Sequence, residues 1–405
     1  MSANESNEIS TDLFGDNSLL TRANSENLSA WDKSVEVEEN LYYWNEDPIF
    51  RPLSMQLDTS GPLVVELFSG CGGTSLGFEM AGYSIGLGMD IHSPSVSTFQ
   101  HNHPHAATIL GDIKRVKPQQ LADLISDREI DVLIGGVPCQ GFSLNNRKRH
   151  IDDKRNLLYK EFIRFAKVLK PKAIVLENVS GMRSSGDFVT RIEEDLGRAA
   201  GLRVHSAMLN AHEYGVPQRR QRLVFVGVRG QDFDFRSIKK THGPGTKYPF
   251  NTVRDAIGDL PSLAPNEENT SYATKPNSIY QKLMRDGLRM NQLTNHRAPN
   301  HPAETIRRIA QTKPGFPMYP AFRQRIRLAW DAMSPTQVSG GIRPQFQFGH
   351  PEDARGLTIR ERCRIQSFPD RFFVAGGIVQ GRVQTGNAVP PLLAKAVGLA
   401  LKEYL

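Results

Sequence analysis

One cysteine lies where its thiol could act as a nucleophile. Residues 135–143 read Gly-Gly-Val-Pro-Cys-Gln-Gly-Phe-Ser, and they follow the apolar run 131–134, which is typical of a buried β-strand. With proline before it and glycine after it, Cys139 is expected in a loop rather than in a core. An accessible thiol that can ionise is a nucleophile. Cys139 is therefore the first candidate for covalent chemistry.

The elements that would position this cysteine alternate between strands and helices. Five runs rich in Val, Ile and Leu predict strands at Leu63–Phe68, Ile85–Asp90, Ala107–Leu110, Ile130–Val137 and Ala173–Val179. Helical patterns separate them at Thr74–Ala81, Pro94–Asn102, Pro118–Ser126 and Asn156–Leu169. Two further strand candidates, Arg203–Asn210 and Arg222–Val228, extend the series. This alternation predicts an α/β fold with a parallel, doubly wound sheet.

Polar or glycine-rich residues follow each of the five strands. The first strand leads into the turn Phe68–Gly73, whose backbone N–H groups could approach a ligand at a helix start. Asp90 ends the second strand, and an acid about twenty residues after such a turn commonly holds ribose hydroxyls. Asp112 follows the third strand, and Glu177 lies near the end of the fifth. Because these ends share one edge of the sheet, we expect a nucleoside-type cofactor beside Cys139.

Six sequence blocks, in order, resemble those of the DNA (cytosine-5)-methyltransferase family. The blocks are residues 66–73 (Glu-Leu-Phe-Ser-Gly-Cys-Gly-Gly), 138–143 (Pro-Cys-Gln-Gly-Phe-Ser), 177–179 (Glu-Asn-Val), 214–222 (Tyr-Gly-Val-Pro-Gln-Arg-Arg-Gln-Arg), 357–370 and 384–391 (Gln-Thr-Gly-Asn-Ala-Val-Pro-Pro). The resemblance spans roughly residues 62–405. It implies a Rossmann-like methyltransferase sheet with a second, smaller, irregular target-recognition domain.

The resemblance also implies a mechanism. Cytosine C5 is a poor nucleophile, so the family first adds a cysteine thiolate to C6, and Cys139 would be that thiolate. Glu177 would hydrogen-bond or protonate the base at N3, which suits a partly desolvated carboxyl. Arg222 would contact the O2 atom of the base, and Arg220 would support the adduct. Loss of the C5 proton and departure of Cys139 would release 5-methylcytosine.

The implied cofactor is S-adenosylmethionine, and the product is S-adenosylhomocysteine. Asp90 would bind the ribose hydroxyls and Asp112 the adenine amino group, while Ile91 stands where family members often have an aromatic residue. The expected cofactor contacts are Phe68, Gly70, Gly72, Gly73, Asp90, Ile91, Asp112, Ile113, Pro138, Asn387 and Val389. We expect no metal, because no Cys/His cluster has ligand spacing and methyl transfer from a sulfonium needs no Lewis acid.

A base inside duplex DNA must leave the stack before an enzyme can act on it. The polar and basic run 145–150, Asn-Asn-Arg-Lys-Arg-His, follows Cys139 and would form a mobile lid that clamps phosphates or fills the gap. The alternative, that the run is simply a soluble loop, stays open but is the weaker of the two. The expected DNA contacts are Ser143, Arg147 and Arg149 near this lid and Thr336 in a family loop near the DNA backbone.

Charge divides the chain. Residues 1–60 hold 12 acidic and 3 basic residues in a chain whose net charge is +7, which leaves +16 for the remaining 345 residues. Such a balance favours a polyanion. We expect residues 1–60 to be an acidic, largely disordered extension, and residues 61–229, completed by 376–405, to form the catalytic domain. Residues 230–375 would form the target-recognition domain; its irregular stretch 230–330 holds 16 basic and 8 acidic residues.

Three cysteines and the lack of an apolar run near the ~20 residues of a membrane span indicate a cytoplasmic protein. The resemblance implies that its partner is double-stranded DNA. We expect a monomer, with a cognate restriction endonuclease as a possible partner. Three alternatives stay open at this stage: an RNA cytosine-5 methyltransferase that acts on tRNA, a DNA-binding relative without catalysis, and a nicotinamide dehydrogenase. Intact Cys139, Glu177 and Arg222 argue against the second, and the spacing of Gly70, Gly72 and Gly73 argues against the third.

Overall fold

The computed structural model describes residues 47–53, 60–138, 158–179, 187–272, 274–288, 292–339 and 347–405. Four predicted site residues, Cys139, Ser143, Arg147 and Arg149, lie outside the described residues, as do the run 145–150 and most of the acidic extension.

A single eight-stranded sheet organises the chain within these ranges. Its strands are β1 (Ile49–Arg51), β2 (Leu63–Leu67), β3 (Ser84–Asp90), β4 (Ala107–Leu110), β5 (Val132–Gly136), β6 (Ala173–Val179), β7 (Arg203–Asn210) and β9 (Gln221–Val228). Their order across the sheet is β1-β4-β3-β2-β5-β6-β9-β7. The five central strands, β4 to β6 in this order, are parallel, whereas β1, β9 and β7 each run antiparallel to their neighbour. The predicted doubly wound α/β sheet is confirmed.

Helices cover both faces of the sheet. The helices that follow the strands are α1 (Gly73–Met80), α2 (Ser93–Asn102), α3 (Pro118–Leu124), α4 (Leu158–Leu169) and α5 (Phe188–Ala200). On one face α3, α4 and α5 pack on alternate strand residues, with Phe162 and Ile192 fully buried. On the other face α1 and α2 pack on the intervening residues, with Phe78 and Phe99 buried. The alternation follows from the two-residue period of a strand buried on both faces.

A second region follows β9 and consists of short helices joined by irregular segments. Its helices are α6 (Val253–Ile257), α7 (Ile279–Met284), α8 (Ala303–Gln311) and α9 (Ile359–Ile365). A two-stranded parallel pair joins β10 (Ser334–Pro335) to β8 (Gln218–Arg219), next to β9.

The last two helices return the chain to the sheet. Helix α10 (Ile378–Asn387) precedes α11 (Pro391–Leu401), which packs directly on α1. A Cβ atom on Gly77 of α1 would lie 2.4 Å from the Cβ atom of Ala394, so the two helices approach closely only because Gly77 has no side chain. The C-terminal segment therefore lies against the helix that follows the glycine-rich turn.

Sequence reasoning found the central strands and the first four helices, with ends that differ by a few residues. It did not identify α5, the edge strand β1 or the short helices after β9. The expectation of a parallel sheet is also incomplete, because β9 and its neighbours are antiparallel. Strand direction depends on the connection between strands, which an apolar pattern does not encode.

Candidate functional site

The glycine-rich turn and the end of β6 approach the same point at the edge of the sheet. Gly136, the last residue of β5, is in register with Glu177 of β6. A Cβ atom on Gly136 would lie 3.7 Å from the carbonyl oxygen of Phe68 and 3.9 Å from Oε2 of Glu177. The glycine-rich turn, where the cofactor is predicted, and Glu177, where the base is predicted, therefore lie on either side of Gly136.

The glycine-rich turn between β2 and α1 is closed by the C-terminal segment. Phe68 has a φ of 56° although it is not glycine, and Gly70 and Gly72 have φ values of 51° and 89°. A Cβ atom on Gly73 would lie 2.4 Å from the carbonyl oxygen of Val389. The chain after α10 thus contacts the start of α1, and a side chain at Gly73 would push Val389 away.

Asp90 faces this turn from the end of β3. The Gly70 amide donates a hydrogen bond of 2.8 Å to Oδ2 of Asp90, and the His92 amide donates one of 2.9 Å to Oδ1. Burial raises the pKa of Asp90, while these hydrogen bonds act in the opposite direction. Each carboxylate oxygen can accept a second hydrogen bond, as two vicinal hydroxyls of a ribose would require.

His92 is a site residue that sequence reasoning missed. Its Nδ1 lies 2.7 Å from Oγ of Ser95, and its Nε2 lies 3.0 Å from Oε1 of Gln380 on α10. Burial lowers the pKa of His92, so a neutral ring that donates from Nε2 to Gln380 fits these contacts. His92 therefore joins the Asp90 turn to the C-terminal helix. Its place two residues after the acid that ends β3 was the available signal.

The remaining cofactor candidates differ in exposure. Oδ1 of Asp112 accepts a hydrogen bond of 3.0 Å from the Lys114 amide and so caps a short 3₁₀ helix, Ile113–Arg115. Ile113 is 5% exposed and belongs to the apolar core under the sheet. Ile91 is half-buried, and Asn387 is exposed at the end of α10.

Glu177 and Arg222 form an ion pair on neighbouring strands. Glu177 of β6 is in register with Val224 of β9, so Arg222, two residues away, lies on the same face of the sheet. Nε of Arg222 is 2.5 Å from Oε1 of Glu177, and the two side chains are 11% and 14% exposed. Burial lowers the pKa of Arg222, and the charge of Glu177 opposes that shift. The two predicted base-contacting groups are thus brought together.

Arg220 is only 1% exposed. Its guanidinium donates to three carbonyl oxygens, of Gln337 at 2.9 Å, of Gly386 at 3.0 Å and of Ala388 at 2.9 Å. Thr336 lies nearby, and its hydroxyl donates to the carbonyl oxygen of Arg219 at 2.6 Å. Arg220 therefore fastens the segment after β10 to the end of α10.

The predicted nucleophile contrasts with the other two cysteines. Pro138 is half-buried at the end of β5, and Cys139, the next residue, lies outside the described residues. Cys71 and Cys363 are 3% and 0% exposed in one apolar cluster. Burial raises the pKa of the Cys363 thiol to about 11 and raises that of Cys71 as well. Thiols of this kind are poor nucleophiles near neutral pH.

Glu66 is a second residue that sequence reasoning left without a role. It is 1% exposed in β2, and its Oε2 accepts hydrogen bonds from the Ser75 amide at 3.1 Å and the Ser75 hydroxyl at 2.5 Å. Burial raises the pKa of Glu66 to about 7. The carboxyl braces the start of α1 behind the glycine-rich turn. An acid inside an otherwise apolar strand was its sequence signal.

The described residues contain neither a metal-binding group nor a membrane-spanning helix. No group of three or more His, Cys, Asp or Glu residues there could hold a metal ion. Within the same residues, no helix combines the length and the apolar character needed to cross a membrane.

Comparison with known proteins identifies relatives over nearly the whole length. Residues 63–403 match the family model of the C-5 cytosine-specific DNA methylases. The chain is 33% identical over 399 residues to the Type II methyltransferase M1.HphI of Haemophilus parahaemolyticus, with 93% of this chain and 97% of the relative covered. It is 34% identical over 375 residues to the Type II methyltransferase M.DdeI of Desulfomicrobium norvegicum, with 84% and 88% covered.

Solved structures share the fold. A crystal structure described as a DNA modification methyltransferase encoded within a prophage (E. coli) has a TM-score of 0.70 at 24% identity and covers 85% of this chain and 99% of its own. A DNMT2 variant of Spodoptera frugiperda has a TM-score of 0.53 at 17% identity, with 84% and 100% covered.

Proposed function

Because the chain belongs to the C-5 cytosine-specific DNA methylase family, we propose that it transfers a methyl group from S-adenosylmethionine to C5 of a cytosine turned out of duplex DNA. Its activity as a DNA cytosine-5 methyltransferase follows from the family. The observation that carries the finer proposal is the approach of Phe68 and Glu177 to Gly136. A cofactor on the glycine-rich turn and a base on the Glu177–Arg222 pair would be neighbours there.

The residues around the glycine-rich turn fit S-adenosylmethionine. Asp90 offers two carboxylate oxygens beside the Gly70 amide, which suits ribose hydroxyls. The carbonyl of Val389 against Gly73 closes the turn from the opposite side, where a larger residue at Gly73 would fill the space. When bound, the cofactor supplies an electrophilic methyl group on a sulfonium. Asp112 would contact the adenine amino group, and Phe68 and Ile91 would supply apolar contacts.

The chain's own chemistry begins at Cys139. Its thiolate would form a bond to C6 of the cytosine, and the electron pair of the C5–C6 double bond would shift towards C5 and N3. C5 then becomes nucleophilic enough to accept a methyl group. A general base next removes the proton from C5. The electron pair of the broken C5–H bond re-forms the C5–C6 double bond, and the sulfur of Cys139 leaves C6 with the electron pair of the S–C bond. The products are 5-methylcytosine and S-adenosylhomocysteine.

The Glu177–Arg222 pair would hold the base while this happens. Glu177 would hydrogen-bond at N3, where negative charge develops as sulfur adds, and Arg222 would donate to O2. Because Arg222 holds Glu177 at 2.5 Å, both groups are oriented before the base arrives. This arrangement supports stabilisation of the adduct without reorganisation.

The duplex would lie across residues 230–375, with the cofactor bound by 61–229 and 376–405. Thr336, fastened to Arg219 next to the catalytic arginines, would contact the backbone. Ser143, Arg147 and Arg149 would contact DNA from the segment after Cys139. Enzymes of this kind act on a base outside the stack, so these contacts would stabilise the flipped state.

The relatives M1.HphI and M.DdeI are named Type II methyltransferases, which suggests that this chain modifies one short duplex sequence. We propose the same role here, as the modification half of a restriction–modification pair. Plasmid DNA isolated from cells that make the protein would then resist a restriction enzyme that reads the methylated site, and bisulfite sequencing would identify that site.

Transfer of labelled methyl groups from S-adenosylmethionine to duplex DNA and, separately, to tRNA tests the proposal. We expect label at cytosine C5 in duplex DNA, and no label with Cys139→Ser or with tRNA. Cys363→Ala is the matched control, because this thiol is fully buried and cannot reach a base, so its loss should leave the covalent step intact.

A duplex with 5-fluorocytosine at the target should trap the adduct, because fluorine cannot leave C5 as a proton does. Wild-type protein and the Cys363→Ala variant should form a covalent complex, and Cys139→Ser should not. Labelling of tRNA alone, or transfer that survives Cys139→Ser, would contradict the proposal.

A further inference from the structure

Arg382 on α10 is a buried arginine for which the described part of the chain offers no hydrogen-bond or ion-pair partner. It is 8% exposed, and among the described residues its guanidinium makes no hydrogen bond and no ion pair. Burial alone lowers its pKa to about 10, so the group remains charged at neutral pH. Buried charges in proteins are almost always paired, because an unpaired one forfeits its hydration. An arginine whose donors no described residue uses is therefore a candidate to bind an anion.

Arg362 on α9 lies beside it and is also buried without a carboxylate. It is 3% exposed, and it donates to Oγ1 of Thr385 at 2.9 Å and to the carbonyl oxygen of Val338 at 3.0 Å. Burial and the charge of Arg382 lower the pKa of Arg362 to about 9. Neutral oxygens satisfy its donors, but they leave its positive charge uncompensated.

Arg220 completes the group. Its two terminal nitrogens are used by the carbonyl oxygens of Gln337, Gly386 and Ala388. Burial lowers its pKa, and so do the charges of Arg222 and Arg362, while the charge of Glu177 acts in the opposite direction. We call Arg220, Arg362 and Arg382 the unpaired arginine cluster.

Two members of the cluster, Arg220 and Arg362, contact the segment after β10, and the charge of Arg382 acts on Arg362 and on His301. A Cβ atom on Gly386 would lie 2.2 Å from the backbone nitrogen of Ser339, so this segment rests directly on the end of α10. Arg220 and Arg362 hold the carbonyl oxygens of Gln337 and Val338 in the same segment. Positive charge is thus concentrated where the proposed DNA-contacting segment meets the catalytic arginines.

We propose that the unpaired arginine cluster binds a backbone phosphate of the duplex beside the target cytosine, with Arg382 as the residue that contacts the phosphate. This inference rests on the proposed function. Arg220 and Arg362 spend their donors on carbonyl oxygens, whereas the planar fork of Arg382 can hold two phosphate oxygens at once. The other two arginines raise the local positive potential. A phosphodiester supplies the anion that the described residues lack.

Salt-dependent binding tests the proposal. Arg382→Met keeps the length and apolar stem of the side chain and removes the charge. The binding constant of a labelled duplex that carries the methylated site is measured at increasing KCl, with S-adenosylhomocysteine present. Loss of one phosphate contact should reduce the slope of log K against log[KCl] by about 0.9. The dissociation constant at low salt should rise on the order of tenfold, as for a lost charge-assisted hydrogen bond. Arg382→Lys should retain most of the slope.

The control is Arg198→Met, which removes an exposed arginine from α5, over the opposite face of the sheet. Its slope should equal that of wild type. Thermal unfolding gives a readout that a structural role would not produce. Removing an unpaired buried charge should leave the melting temperature of Arg382→Met unchanged or raised. Inorganic phosphate should raise the melting temperature of wild type more than that of the variant.

Three outcomes have distinct meanings. A lower melting temperature with an unchanged slope would show that Arg382 is structural and would overturn the inference. An unchanged slope with weaker S-adenosylhomocysteine binding in the absence of DNA would assign the anion to the cofactor carboxylate and would also overturn it. Wild-type protein that fails to methylate duplex DNA would instead contradict the proposed function, whatever Arg382 does.

Discussion

Arg355 and Arg364 form ion pairs with carboxylates, whereas no described carboxylate forms an ion pair with any of the three members of the unpaired arginine cluster. Arg364 donates to Asp259 at 3.0 Å and to Asp370 at 2.5 and 2.7 Å. Arg355 donates to both oxygens of Glu361, at 2.8 and 2.9 Å, and to Asp353 at 2.7 Å. We call Arg355 and Arg364 the paired arginine cluster. Both clusters include residues of the one stretch 355–364, so burial alone does not distinguish them.

The pKa values move in opposite directions in the two clusters. Burial by itself would lower the pKa of Arg364, but Asp370 and Asp259 raise it above its ordinary value. None of the described carboxylates does this for Arg382, whose pKa burial lowers to about 10. The paired cluster is therefore locally neutralised and joins segments of the second region. The unpaired cluster keeps its positive charge at a cost in stability, which an enzyme tolerates where the charge is used.

The largest expected effect is on the paired cluster. Arg364→Met should lower the free energy of unfolding by about 3 kcal/mol, because it leaves buried carboxylates without their main partner. Asp259 retains Arg285 at 2.5 Å, which limits the loss. Urea unfolding measures the change.

The control for this variant is Arg371→Met. Arg371 lies only a few residues from Arg364 but is exposed, so its replacement should change the free energy of unfolding by no more than about 0.5 kcal/mol. Equal effects of the two variants would remove the distinction between a paired buried arginine and a surface one.

The paired cluster should also set the sensitivity to acid. Despite burial, Arg355 lowers the pKa of Glu361, and Arg364 lowers that of Asp370. Carboxyls whose folded-state pKa is depressed add stability above their ordinary pKa and lose it as the pH falls. Wild-type protein should thus lose on the order of 2 kcal/mol as the pH falls from about 5 to about 3.

Asp370→Asn should reduce this loss of stability at low pH, which is measured as melting temperature against pH. Arg382→Met should leave it unchanged, because no described carboxylate pairs with Arg382. If the two variants changed the loss of stability at low pH equally, the carboxylates of the paired cluster would also interact with Arg382.

A smaller effect is expected for Arg220→Met. It leaves three carbonyl oxygens without their donor but no carboxylate without a partner, and it relieves repulsion with Arg222 and Arg362. The free energy of unfolding should fall by about 1–2 kcal/mol, less than for Arg364→Met. Methyl transfer should fall further than this loss explains, because Arg220 holds both Gln337 and Ala388. Activity per folded molecule, compared with that of Arg364→Met at matched folded fraction, checks this.

Much of this fold could be predicted from local pattern. The bounds predicted for β4, β6 and β7 match those observed. Asp90 and Glu177 could be selected as site candidates because each lies at a strand end. Strand direction and order could not be predicted in full, since they depend on connections rather than on residue period.

The charge state of the buried arginines could not be predicted either. Sequence counts give an excess of positive charge, but pairing depends on contacts between distant residues. Arg355 meets Glu361 six residues away, while Arg364 meets Asp259 more than a hundred residues away. Arg382 has no described acid beside it, whether close to it or distant from it in sequence. Sequence reasoning missed His92 for the same reason, because its contact with Gln380 joins residues that are far apart in the chain.

The smallest expected effect is the coupling free energy between Arg362 and Arg382, and it tests the difference between the unpaired and paired clusters most specifically. A double-mutant cycle for Arg362 and Arg382 isolates their interaction, because contacts that each makes elsewhere cancel in the cycle. Two like charges without a carboxylate should repel, with an unfavourable coupling of about 0.5–1 kcal/mol in the free energy of unfolding. The Arg364–Asp370 cycle should give a favourable coupling, and the Arg198–Arg382 cycle should give none. Saturating duplex DNA should reduce the Arg362–Arg382 repulsion, since a phosphate bound by Arg382 compensates the positive charge that acts on Arg362. A favourable coupling in the free protein would mean that an anion of the chain itself already pairs them, and the phosphate site would then have no charge to offer.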